Sequence, residues 1–222
     1  MTTKRIAEQI NNLKYKNQPL KLNFGVLVLI AWCTFLIVIS TFTQLNFTKF
    51  YHAIGIVNPD SSAFANQLLL HSKFIPQIPM IMFVVVLLGR EFGIFSTILY
   101  IILGLFLAPV FALGGGIDYV FQFGFGYIVG YIPAMFFSGS ILKKSLSNKN
   151  LLRATTIGVL TVHLIGILYM LFIVAIQKED YETIINWTIA QSGFKIFYDL
   201  IFSIIAVYIA KYTKKILWVV LG

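Results

Sequence analysis

From residue 24 to residue 48 the chain carries no charged side chain, and uncharged stretches of this kind recur along it. Blocks at 74–89, 92–117, 119–142 and 154–177 run for 16, 26, 24 and 24 residues without a charge. A last block is interrupted: 183–194, then Lys195 and Asp199, then a clean run at 200–210. A bilayer core takes about 20 apolar residues per helix. The blocks therefore predict an all-α integral membrane protein with six transmembrane helices, the second short and so tilted or begun a little earlier. Composition excludes the alternatives. Charged residues are 11% and hydrophobic residues 59%, whereas ordinary soluble domains carry about 25% charge. Disorder needs low hydrophobicity and high charge, and it is excluded too.

The charges between the blocks give a direction. With both termini placed in the cytoplasm, the inner segments hold Lys4, Arg5, Lys14, Lys16, Lys21, Arg90, Lys143, Lys144, Lys149, Arg153, Lys211, Lys214 and Lys215, which is 13 of the 17 basic residues. The outer segments hold Lys49, Lys73 and Lys178, with Asp60, Asp118, Glu179, Asp180 and Glu182. This asymmetry is the positive-inside pattern, and it favours an even number of spans. The net charge of +9 then reads as basic loops meeting anionic lipid rather than nucleic acid. The expected division is a cytoplasmic segment at 1–23, a six-helix substrate-binding domain at 24–210 and a cytoplasmic tail at 211–222. The first block is too long, and begins too late, for a cleaved signal peptide. The aromatic-rich connection at 43–73 is expected to be partly helical and to lie over the outer mouth.

Catalytic and nucleotide-binding motifs are missing. The chain has no G-x-x-x-x-G-K-[ST], H-E-x-x-H or G-x-S-x-G run, so neither a P-loop nor the common hydrolase chemistries are indicated. Its one cysteine, Cys33, excludes an internal disulfide and reads as a small buried hydrophobe. No metal site and no cofactor are expected. His163, in the middle of the fifth block, is either a hydrogen-bonded packing residue or a pore-facing one. Gly126, Gly130, Ala134 and Ser138 recur every four residues. They make a smooth helix face for close packing, inside the bundle or against a partner. Ala154, Gly158 and Gly166 offer a similar, weaker face.

Two features carry chemistry. Gly114, Gly115 and Gly116 follow Phe111 and precede Asp118, Tyr119 and Gln122. Three glycines are poor helix formers, but they can bring bare backbone N–H groups to a ligand. They form either a pocket floor for a flat, partly apolar molecule or a tight turn. Lys195 and Asp199, four apart, share a helix face. Charges within a span are costly and mark functional sites by default. The lysine could meet a substrate carboxylate and the aspartate could accept ligand N–H groups, or the two could satisfy each other as an ion pair.

Leu87-Leu88-Gly89, Gly93, Leu99-Tyr100, Leu103-Gly104-Leu105 and Pro109-Val110-Phe111-Ala112 with the triple glycine resemble the BioY family. So do Ile75-Pro76-Gln77-Ile78-Pro79, Phe125-Gly126-Tyr127 with Gly130, and His163-Leu164-Ile165-Gly166 with Leu168-Tyr169. BioY proteins are biotin-specific S components of energy-coupling factor (ECF) transporters. The resemblance implies a six-helix protein of the cell (inner) membrane that binds biotin from outside. It also implies a transmembrane T subunit and ATPase subunits as partners, which accords with the missing P-loop.

The last helix departs from the family's P-F-x-P-G-D-x-x-K pattern. Asp199 matches the aspartate, but Phe202 stands at the lysine position and Phe197-Tyr198 replace Pro-Gly. Lys195, one turn earlier, is the available cation. The run Gln122-Phe123-Gly124-Phe125-Gly126-Tyr127 lacks the family's proline. The alternatives are an S component for another small vitamin-like molecule, a membrane enzyme using Asp118 or Asp199 as a base, or a structural membrane protein.

Overall fold

A computed structural model describes residues 22–45, 74–178, 180–193 and 195–221. Most of the N-terminal segment and of the 43–73 connection, with His52 and His71, lies outside the described residues. The elements are α1 (Phe24–Phe42), α2 (Gln77–Leu88), α3 (Arg90–Ile102), α4 (Phe125–Leu142), α5 (Asn148–Gln177), α6 (Tyr181–Ser192) and α7 (Lys195–Leu221). Helix α3 continues as a π-turn over Leu103–Leu107, and a 3₁₀ turn spans Ile117–Phe121. Among the described residues, five stretches are long and apolar enough to cross a membrane, and α2 is a shorter apolar helix.

The charge-free blocks became helices with two amendments. The third block does not run to residue 117. Its helix opens into the π-turn and stops before Ala108, which is extended at φ −154° and ψ 148°, as a residue before proline prefers to be. The sixth block is two helices. The break falls at Gly193, whose N–H still bonds to Ile189 O at 3.0 Å. A Cβ there would lie 2.5 Å from that carbonyl.

Helices α2 and α3 are joined by Gly89 alone, at φ 85°, a conformation that side-chain-bearing residues rarely adopt. Lys214 of α7 donates to Val86 O at 3.0 Å, capping a carbonyl that the end of α2 leaves free. Nearby, Arg90 donates to Ser140 Oγ at 3.2 Å and Lys143 to Glu91 at 3.3 Å, while Lys211 donates to Asn148 at 2.8 Å. These cations, from α3, the end of α4 and α7, gather at one end of the bundle, here called the basic end.

The small-residue faces of α4 and α5 pack on each other, antiparallel. A Cβ on Gly126 would enter the Tyr169 side chain, and one on Gly130 would stand 3.2 Å from the Val162 backbone. Ser138 Oγ donates to Ala154 O at 2.7 Å, and Gly166 lies under the Tyr127 ring. The faces serve internal packing, where close backbone approach supplies the dispersion contacts that lipid cannot replace. Cys33 is a wholly buried free thiol. Phe24, Trp32, Phe35 and Phe42 of α1 stay exposed, as a lipid-facing surface would.

Gly166→Leu should therefore cost about 1–3 kcal/mol by overpacking, whereas Gly124→Ala, with nothing within 4 Å of the added carbon, should be neutral. Thermal unfolding of the purified protein in detergent checks both, and equal midpoints would contradict this packing.

Candidate functional site

The end of the bundle opposite the basic residues is built on Phe111. Its ring is 1% exposed and occupies the space where a Cβ on Gly104 would be. Three aromatic partners surround it: Tyr100 edge-on at 5.4 Å, Tyr119 at 4.7 Å and Phe125 at 6.2 Å between centroids. Such pairs add about 0.5–1.5 kcal/mol each beyond their buried area.

The glycines turn the chain around this ring. Phe111 N donates to Gly114 O at 2.8 Å, Gly114 N returns a bond to Phe111 O at 3.1 Å, and Gly116 N donates to Gly104 O at 2.9 Å. Gly114 and Gly116 take φ of 123° and 93°. A Cβ on Gly115 would lie 2.7 Å from Gly104 O and from Pro109 Cα. Close packing thus accounts for the glycine run, and two of its three N–H groups are already spent within the loop. Tyr119 is buried beside Phe111, while Asp118 and Gln122 are exposed. Burial pushes the Tyr119 phenol above its ordinary value, so it stays a neutral hydrogen-bonding group.

Below the aromatic cluster sits a group of polar side chains organised by Gln77, which is 8% exposed. Its Nε2 donates to Thr41 Oγ1 of α1 at 2.5 Å and to Tyr100 OH of α3 at 2.7 Å. Its Oε1 accepts from Tyr131 OH of α4 at 2.9 Å. Both amide protons and the carbonyl are used, and four helices meet at one side chain.

One turn before Tyr131 on α4, Tyr127 begins a second polar group. Tyr127 OH and Ser192 Oγ are 2.6 Å apart, and His163 Nδ1 lies 3.0 Å from the same Ser192 Oγ. The Tyr127 ring meets the imidazole edge-on at 5.8 Å. His163 Nε2 then stands 3.2 Å from Asp199 Oδ2, with both side chains almost wholly buried. The contact lacks the alignment of a hydrogen bond. Among the described residues, neither Asp199 oxygen has a hydrogen-bond partner, nor has Ser203 Oγ one turn further along α7. An unpartnered carboxylate inside a bundle is expensive, so these oxygens are in want of a donor.

Lys195 and Asp199 do not satisfy each other. Lys195 Nζ donates instead to Gln191 Oε1 at 3.2 Å, across the break between α6 and α7. Phe202 stacks on Phe74 at 5.1 Å, so its position serves packing. The described structure thus places Phe111, Gly114–Gly116 and Tyr119 in one cluster and Asp199 in another. Gln77, Tyr131, Thr41 and Ser192 were not marked by the sequence as site residues. A glutamine opening an apolar block was the one signal that could have drawn notice to the first of them.

The described residues thus form an integral membrane helical bundle with an aromatic cap and a buried carboxylate that has no hydrogen-bond partner. Residues 62–218 match the BioY family, and the chain belongs to that family. A "Probable biotin transporter BioY" from Lysinibacillus sphaericus is 36% identical over 86 residues, covering 38% of this chain and 44% of the relative. The aligned part thus spans less than half of that curated relative. In fold, the chain is similar to the S-component for biotin from an ECF-type ABC transporter. The TM-score is 0.62 at 22% identity, covering 97% of this chain and 95% of that one.

Removing the Gln77 amide should leave the hydroxyls of Thr41, Tyr100 and Tyr131 competing for too few partners, at about 1–3 kcal/mol for each buried group left unsatisfied. Gln77→Leu should lower the midpoint of thermal unfolding accordingly, and an unchanged midpoint would remove Gln77 from the organising role.

Proposed function

We propose that this protein is the substrate-capture (S) subunit of an ECF transporter. It would bind biotin on the outer side of the cell membrane and work with a transmembrane T subunit and ATPase subunits in ATP-driven uptake. It is a transport protein and not an enzyme, and it needs no cofactor; biotin is the cargo. Membership of the BioY family carries this reading, and the unsatisfied Asp199 carboxylate supports it within the molecule. Biotin has a ureido ring with N–H donors, which a buried carboxylate lacking a hydrogen-bond partner would accept. Its thioether ring suits an aromatic surface such as that of Phe111 and Tyr119.

Gly114, Gly115 and Gly116 would carry Phe111 into place, with Asp118 and Gln122 at the mouth. Lys195, on the last turn before Asp199, would meet the valerate carboxylate in place of the lysine that Phe202 displaces. The basic end would face the cytoplasm, with 1–23 and the tail at 211–222 on that side, although α7 continues as a helix to Leu221. Phe202 at the usual cation position favours one second reading, an S component for a related vitamin-like ligand without biotin's carboxylate geometry.

Binding of biotin to the detergent-solubilised protein tests the proposal, and absence of binding at micromolar biotin overturns it. Asp199→Asn should weaken binding roughly tenfold or more, the effect of losing a charged hydrogen-bond acceptor. Lys195→Ala should weaken biotin but spare biotinamide, which has no carboxylate to pair.

A further inference from the structure

Asp199 has a histidine beside it that the binding reading leaves without a task. His163 lies midway along α5 and is 2% exposed. Its two nitrogens face different partners: Nδ1 lies 3.0 Å from Ser192 Oγ, and Nε2 lies 3.2 Å from Asp199 Oδ2. Ser192 is in turn 2.6 Å from Tyr127 OH. These four side chains come from α4, α6, α5 and α7.

The line has a natural direction. In the direction that gives Asp199 a donor, the phenol O–H donates to Ser192 Oγ, the serine O–H donates to Nδ1, and the ring proton is left on Nε2, beside the carboxylate but off its line. A proton on Nε2 makes the ring a donor towards the aspartate, as in histidines oriented by a partner on the other nitrogen. The reverse direction would leave Nε2 bare and set two lone-pair-bearing atoms 3.2 Å apart in a buried site, which is repulsive. The other charged and titratable groups around this point are Tyr127 of α4, bonded to Ser192, Tyr131 one turn further along α4, and Lys195, turned to Gln191.

We infer that His163 is a positioning residue: oriented through Ser192 by Tyr127, it holds the Asp199 carboxylate by one oxygen and leaves the other facing a ligand N–H donor. This rests on the reading that Asp199 contacts the ligand. The present contact is short but off-line. The arrangement makes the carboxylate a one-sided acceptor. It therefore selects ligands that present a single N–H in a fixed direction.

The test uses two amides that each imitate one side of the ring, its donor or its acceptor. In His163→Gln the amide nitrogen takes the place of Nε2 and can still donate to Asp199. In His163→Asn the amide oxygen takes the place of Nδ1, accepts from Ser192 and leaves Asp199 bare. Measured with biotin on the full-length protein in detergent, His163→Gln should stay within a few fold of the parent. His163→Asn should lose roughly tenfold or more, the range for a missing hydrogen bond to a charged group. A merely space-filling histidine predicts similar losses in both, and that result overturns the inference. Ser192→Ala removes one oxygen and is the milder second variant. It leaves Tyr127 OH and Nδ1 without their partner, so its midpoint falls; measured well below that midpoint it should lose affinity for biotin, and unchanged affinity also overturns the inference. Asp199→Asn separates the two levels. If it binds like the parent, the site reading fails and the inference with it. If it loses binding while both His163 amides and Ser192→Ala keep theirs, only the role of His163 is lost.

Discussion

One primary amide holds the bundle in register. Gln77 uses both protons and its carbonyl on hydroxyls from three other helices, and nothing in hydrocarbon can substitute for those bonds. Lipid gives helices no hydrophobic incentive to associate, so the relative rotation of α1, α2, α3 and α4 has to be set by packing and by polar contacts such as this. Tyr100 transmits the setting outward. Its hydroxyl is held by Gln77 and its ring lies against Phe111, which in turn fixes the glycine loop.

The second organising principle is close approach. Helices α4 and α5 meet over glycine, alanine and serine, and the aromatic rings of Tyr127 and Tyr169 sit where side chains are missing. That pairing presents Tyr127 to His163. Position at the polar line is therefore a by-product of the same small-residue stripe that makes the bundle compact. A change in the stripe reaches the carboxylate through two contacts.

The helical blocks, the four-residue stripe and the asymmetry of charge were legible in the sequence because each is a local pattern. Lengths of uncharged chain and spacings of small residues survive without knowledge of the fold. The end of α3 was not legible, since a π-turn and an extended Ala108 leave the hydropathy of the block unchanged. The Lys195–Asp199 spacing suggested a shared face correctly but left the lysine's partner open, because a helix break at Gly193 gives it Gln191. His163 and Asp199 are separated by an entire helix and a connection. Their meeting depends on how α5, α6 and α7 pack, which no spacing records. Phe111 was marked for ligand contact by its neighbours, while the structure gives it a packing task over Gly104.

At the glycine-loop end, Leu45 and Phe74 exchange backbone hydrogen bonds of 2.9 and 3.0 Å, so the chain leaves α1 and returns to α2 at a single knot. The helices on either side are clamped to each other before the intervening residues are considered. With its ends already tied, a connection can lengthen or shorten at an entropic cost of only about 0.6 kcal/mol per doubling. The bundle can thus keep its core while the residues between Leu45 and Phe74 are exchanged for others, in length as well as in kind.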